Sequence, residues 1–221
     1  PFRRLPKDPR DRPQTDLLRK GLEELRKVWR QVRSERNIKR FLGAFFAYSA
    51  GVQTVLYLAA TFAEKELHFP QGELIAVVLI LQIVAIGGAW LFARVSEWRG
   101  NKFSLLVMLS IWAGICAVAY FVTQSWQFYV IAGGVGLVMG GIQSLSRSTY
   151  SKLLPENTPD TASFFSFYDI LEKVAIVLGT FMFGLVDQLF GMRNSVLFLA
   201  LFFLIGIAVL STVRIQHARE A

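Results

Sequence analysis

Six apolar stretches separated by short polar punctuation dominate the chain after residue 40. They run at about 41–63, 72–95, 103–122, 126–149, 162–190 and 194–213, and the segments between them read EKELHFPQ, SEWRGNK, TQS, YSKLLPENTPDT and GMR. Each stretch is close to the roughly 20 apolar residues that carry a helix across a hydrocarbon core. Backbone groups in lipid find no water to bond, so each stretch is predicted to be a membrane-spanning α-helix. The prolines at 1, 6, 9, 13, 70, 155 and 159 all fall outside these spans. A soluble bundle would have to bury six such runs, more than 221 residues can cover.

A different pattern precedes the spans. Leu18, Leu22, Leu25, Trp29 and Val32 recur at spacings of four and three, with Arg and Lys on the other faces, which predicts an amphipathic helix. Pro6, Pro9 and Pro13 read as a loop before it, with Thr15 or Asp16 as its N-cap. A nucleic-acid arm, a helix held by anionic lipid and a linker helix over one face of a helix bundle would all carry this pattern. The direct join to a span at Lys39-Arg40 favours the last two.

Charge orients the spans. The formal net charge of +8 is entirely N-terminal, because residues 1–40 hold 14 basic and 6 acidic groups. The loops carrying Arg99 and Lys102, Arg147 and Lys152, and Arg214 and Arg219 fall on one side. The other side carries Lys65, offset by Glu64 and Glu66, and Arg193. The positive-inside rule therefore puts both ends in the cytoplasm, and the expected location is a bacterial inner membrane. The expected organisation is a basic cytoplasmic linker over 1–38, a six-helix membrane domain over 39–215 and a tail over 216–221. A chain that starts at Pro1 with an even number of spans is expected to be the second half of a longer polypeptide.

The candidate chemistry lies in the polar residues within the spans. In the fifth, Ser166, Asp169, Lys173, Thr180 and Asp187 share one face at about 100° per residue. An ionisable group at mid-bilayer costs about 2.5 to 3.5 kcal/mol on insertion scales, so Asp169 and Lys173 are expected to face a cavity. Two readings of them stand open: a structural i,i+4 pair, or a substrate and proton role. In the fourth span, Gly133, Gly136, Gly140, Gln143 and Arg147 lie together. Gly136 and Gly140 form a GxxxG contact face, and Gln143 and Arg147 suit an anionic group or lipid headgroups. Ser49, Gln53 and Tyr57 line the first span, and Gln82 sits mid-depth in the second. The third and sixth spans hold neither charge nor amide and read as lipid-facing outer helices. The division repeats every three spans, which fits two inverted three-helix repeats, as in secondary transporters.

Enzyme chemistry lacks its parts here. Cys116 is the sole cysteine, His68 and His217 are distant from each other, and GGVGLVMGG sits inside an apolar helix. No nucleophile–base pair, metal cluster or phosphate loop results, and no cofactor is expected.

SEWRGNK, between the second and third spans, is similar to the cytoplasmic loop signature of the major facilitator superfamily. Glu97, Gly100 and Lys102 match it, while Trp98 and Asn101 stand where basic residues are usual. FLGAFFAYSAGVQTV, GGIQSLSRSTYSKLLPE and FFSFYDILEKVAIVLGTFMFGLVDQLFG resemble the C-terminal half of the vacuole-effluxer-like branch, from about residue 37 to 213. That branch includes fungal autophagy-related amino-acid exporters. Where it often carries an Asp, this chain has Ala50.

The resemblance implies a secondary transporter, with the basic helix as the central linker and the six spans as transmembrane helices seven to twelve. Its partners would be a small solute, amino acids by similarity, the lipid bilayer and an N-terminal six-helix half. Gln53, Gln82, Gln143, Asp169 and Lys173 are the expected substrate and proton pathway, with Asp169 carrying the proton. Glu97, Gly100 and Lys102 are the expected gating loop, with Arg94 or Arg147 as a partner for Glu97. The rival reading is a membrane scaffold or receptor that binds lipid or protein through its basic helix.

Overall fold

The computed structural model describes residues 14–155 and 161–214. Seven α-helices and no strands occur among them: α1 Gln14–Ser34, α2 Arg36–Leu67, α3 Gln71–Arg99, α4 Asn101–Ala119, α5 Ser125–Leu153, α6 Thr161–Phe190 and α7 Met192–Ser211. The expected loop through Pro6, Pro9 and Pro13 and the tail at 216–221, with Arg219 and His217, lie outside the described residues. α2, α3, α4, α5 and α7 are long and apolar enough to cross a membrane. α6 covers the fifth expected span over 30 residues and carries Asp169, Glu172, Lys173 and Asp187.

Local chemistry sets the joints. Gly100 and Gly191 both adopt φ 83, a region glycine enters without a Cβ penalty, and the chain reverses there in a single residue. Each donates its N–H back to the preceding helix, Gly100 to Ser96 and Gly191 to Asp187. Four residues on, Ser104 and Ser195 are fully buried and return their hydroxyls to the same glycine carbonyls. α4 stops at Ala119, short of the expected end at 122, because Phe121 and Val122 close tight turns onto Val118 and Ala119. α5 then starts with Gln127 Oε1 accepting the N–H groups of Thr123 and Gln124, which satisfies donors left open by the helix start.

Small residues decide how the helices pack. α3 and α5 cross where Gly88 meets the Leu137 backbone and where Gly136 and Gly140 meet the backbones of Leu81 and Ala85. The GxxxG of α5 is therefore a contact face, as close helix approach requires. α6 meets α2 at Gly179, where a Cβ would overlap the Ala50 carbonyl and the Thr54 hydroxyl. α4 and α7 back one another through Trp112 stacked on Phe203, with centroids 5.4 Å apart. The same two helices cap each other: Lys102 bonds the carbonyls of Ser211 and Val213, and Arg193 those of Tyr120 and Val122.

Of the five long apolar helices, α3 is the least covered, 11% buried against 33% for α4 and 28% for α7. α4 and α7 lie against each other and leave most of their length uncovered, while α3 also turns Ile83, Ile86 and Trp90 outward. α2 is the central helix, 61% buried.

α1 rests on α2 and α6 and buries Val28 and Val32. Its contact face is turned by one residue from the expected stripe: Val28 sits at the seam, while Leu22 and Trp29 are largely exposed and Trp29 reaches Phe167 at 5.9 Å. The backbone at Thr15 and Asp16 is already helical, so neither is the cap. Only Glu35 separates α1 from α2, which places the expected boundary at residue 38 inside the first turn of α2.

Candidate functional site

The close approach of α6 to α2 at Gly179 is followed, toward the start of α6, by a polar cavity of about 250 Å³ between α2, α5 and α6. α2 supplies Phe45, Tyr48, Ser49, Val52 and Gln53; α5 supplies Ile142, Gln143, Ser146 and Arg147; α6 supplies Tyr168, Glu172 and Lys173. Its aromatic wall comes from Phe45 stacked on Tyr168 at 4.0 Å, with Tyr150 behind at 5.2 Å.

Polar contacts cross every helix boundary of this cavity. Ser146 Oγ donates to the Ile142 carbonyl, so its free lone pair accepts the Tyr48 hydroxyl at 2.7 Å, joining α5 to α2 in a buried pair. Gln53 Nε2 donates to Glu172 Oε1 at 3.0 Å, joining α2 to α6. Arg147 Nη2 donates to Asp169 Oδ1 at 2.7 Å, joining α5 to α6, and its guanidinium lies 5.4 Å from the Tyr168 ring centroid. Three helices that pack through apolar surface are thus cross-linked by three polar contacts around one space. Both signs of charge line it, Arg147 and Lys173 against Glu172.

Of the residues expected in the pathway, Gln53, Gln143 and Lys173 line this cavity. Asp169 stands at the rim, half exposed, and pairs with Arg147 on the next helix rather than with Lys173 on its own. The structural i,i+4 pair is replaced by an interhelical one because Arg147 reaches the carboxylate across the α5–α6 gap. Gln82 does not line this cavity: it is exposed on α3, on the same side as Ile83 and Ile86. The polar stripe of α6 faces outward at Ser166 and Thr180 and meets the cavity at its open edge at Lys173, while α6 packs through Phe164, Tyr168, Ala175, Gly179 and Phe183. The cavity lies at the seam between these faces, where Glu172 falls.

Glu172, Tyr48, Ser146 and Tyr168 line or border the cavity but are not among the residues expected in the pathway. The signal for Glu172 was its position one helical turn from Tyr168, in line with Ala175 and Gly179, a run of small and aromatic residues that marks a packing face.

In the expected gating loop, Gly100 makes the turn and Lys102 caps α7, while Glu97 pairs with Arg94 at 3.3 Å on the exposed side of α3. Asn101, where a basic residue is usual, is buried and ties three helices: its Oδ1 accepts from Ser96 Oγ at 2.6 Å and Lys152 Nζ at 3.3 Å, and its Nδ2 donates to Ser148 Oγ at 3.1 Å. Among the described residues, no group of three or more His, Cys, Asp or Glu side chains is placed to hold a metal ion.

Residues 2–221 match the family model described as vacuole effluxer Atg22 like. The chain is 30% identical over 194 residues to an uncharacterized MFS-type transporter, YxiO, of Bacillus subtilis, covering 87% of this chain and 45% of that protein. It is 27% identical over 210 residues to autophagy-related protein 22 of Yarrowia lipolytica, covering 90% and 35%. Against autophagy-related protein 22 of Saccharomyces cerevisiae the identity is 26% over 212 residues, covering 90% and 40%. The chain spans less than half the length of these relatives.

Proposed function

The chain belongs to the vacuole effluxer Atg22-like family, and from that premise we propose that it is one half of a secondary active transporter that moves a small solute by alternating access. The observation that carries the reading is the cavity between α2, α5 and α6, where two cations and a carboxylate face one space inside otherwise apolar helices. Ionisable groups at such a depth are costly unless they serve a pathway or pair with one another. Glu172, held by Gln53, suits an ammonium group, and Arg147 and Lys173 suit a carboxylate. That complementarity supports an amino-acid-like zwitterion as the solute.

In this reading α6 crosses the membrane as the fifth of six spans, residues 1–38 are a cytoplasmic linker, and an N-terminal six-helix half closes the exposed side of the cavity. The mutual capping of α4 and α7 by Lys102 and Arg193, each two residues after a glycine at φ 83, supports two inverted three-helix repeats, α2–α4 and α5–α7. Both ends face the cytoplasm, or the equivalent side of the membrane that houses the protein, because the basic residues collect there. Asp169 is the proton carrier: protonation would release Arg147 from the rim to the cavity, and Lys173 and Glu172 are the other charges facing that change. Counterflow of labelled amino acids into proteoliposomes holding the full-length protein tests this. Uptake in the parent and its loss in Glu172→Gln are expected; a parent that exchanges no solute across the panel overturns the reading.

A further inference from the structure

We infer that Arg36, Arg40 and Arg214 form a binding site for a phosphate-bearing anion, separate from the cavity between α2, α5 and α6. These three arginines and Asn37 line a space of about 460 Å³ where α2 begins and α7 has just ended. None of the three forms an ion pair among the described residues. Arg40 is anchored, its Nη1 donating to the Thr212 carbonyl at 3.0 Å, and Asn37 Oδ1 accepts the Arg214 backbone N–H at 3.4 Å. These contacts tie the start of α2 to the end of α7, which brings the three arginines to one space. A guanidinium carries five donors, so Arg40 keeps most of its own, and Arg36 and Arg214 keep all of theirs.

Three cations facing one cavity repel one another. The N-cap residue of α2, Glu35, makes no side-chain cap and pairs with none of the three arginines among the described residues. An anion entering here offsets all three charges at once. Planar guanidinium forks match the oxygens of a phosphate in pairs, which lysines would not. The site lies just past the apolar run of α7, which ends at Ser211, and that is the depth of lipid headgroups. A headgroup phosphate and free phosphate share this chemistry, and the experiment separates them.

The full-length protein in detergent is titrated with dioleoyl phosphatidic acid, with dioleoyl phosphatidylcholine and with inorganic phosphate, and binding is read by native mass spectrometry and by the shift in apparent melting temperature. The expected result is that phosphatidic acid binds and stabilises, and that Arg36→Gln with Arg214→Gln weakens it roughly tenfold. Neither side chain makes a hydrogen bond among the described residues, so this variant keeps the fold. Binding of inorganic phosphate with the same loss supports the site with a soluble anion as its source. Arg26→Gln with Arg33→Gln removes the same charge from the exposed side of α1. An equal loss in that control, binding unchanged in the first variant, or no binding of either anion overturns the inference.

Discussion

Lys102 and Arg193 do the same work at opposite ends of the α4–α7 pair. Lys102, two residues after Gly100, donates to the carbonyls of Ser211 and Val213 at 2.7 and 2.6 Å. Arg193, two residues after Gly191, donates to those of Tyr120 and Val122 at 3.0 and 2.7 Å and pairs with Glu66 at 2.8 Å. Each cation satisfies carbonyls that a helix end leaves open and sits at the negative end of its partner's dipole. The pair is therefore fastened at both membrane faces by the first turn of each helix.

Removing either fastening strands those carbonyls. Lys102→Met and Arg193→Met are each expected to cost about 2 kcal/mol, the range for hydrogen bonds to charged groups. Thermal unfolding in detergent checks this, and unchanged melting in both would reduce them to topology signals.

The glycines give a sharper contrast. Gly179→Leu must push α6 off the Ala50 carbonyl and should cost about 1 to 3 kcal/mol or disrupt the cavity outright. At Gly184 nothing lies within 4 Å of an added Cβ, so Gly184→Ala should be neutral or stabilise by about 0.5–1 kcal/mol. Equal behaviour of the two variants in the same melts would contradict the packing described.

Asp169→Asn separates structure from coupling. The Arg147–Asp169 pair is about half exposed on each side, at 50% and 47%, so its loss should change stability by about 1 kcal/mol or less. Proton-driven transport in proteoliposomes is expected to fall about tenfold or more with insertion intact. Full activity would remove Asp169 from the mechanism.

Gln53 and Gln82 should part company. Gln53→Leu leaves the Glu172 carboxylate without its amide and is expected to cut transport strongly, whereas Gln82→Leu, out on α3, should leave it within about twofold. Matching losses in the uptake assay would mean that α3 also lines the pathway.

Much of the helical layout was legible in the sequence because an apolar run of span length in lipid has one backbone solution, and Gly, Pro and charge punctuate it. Gln53, Gln143 and Lys173 were legible for a related reason, since polar groups inside apolar runs stand out one helix at a time. Which of them meet was not. A helix wheel gives angles about one axis, whereas the partner of Asp169 depended on how α5 and α6 lie together, and the burial of Val28 rather than Trp29 depended on how α1 settles on α2. Gly179 against Ala50 seats α6 on α2 and Gly136 against Leu81 seats α5 on α3, contacts between residues far apart in the chain. The sequence by itself therefore determined the helices and where their polar residues lie, and the packing of backbone on backbone alone decided that Glu172, Tyr48 and Arg147 share a cavity while Gln82 faces away.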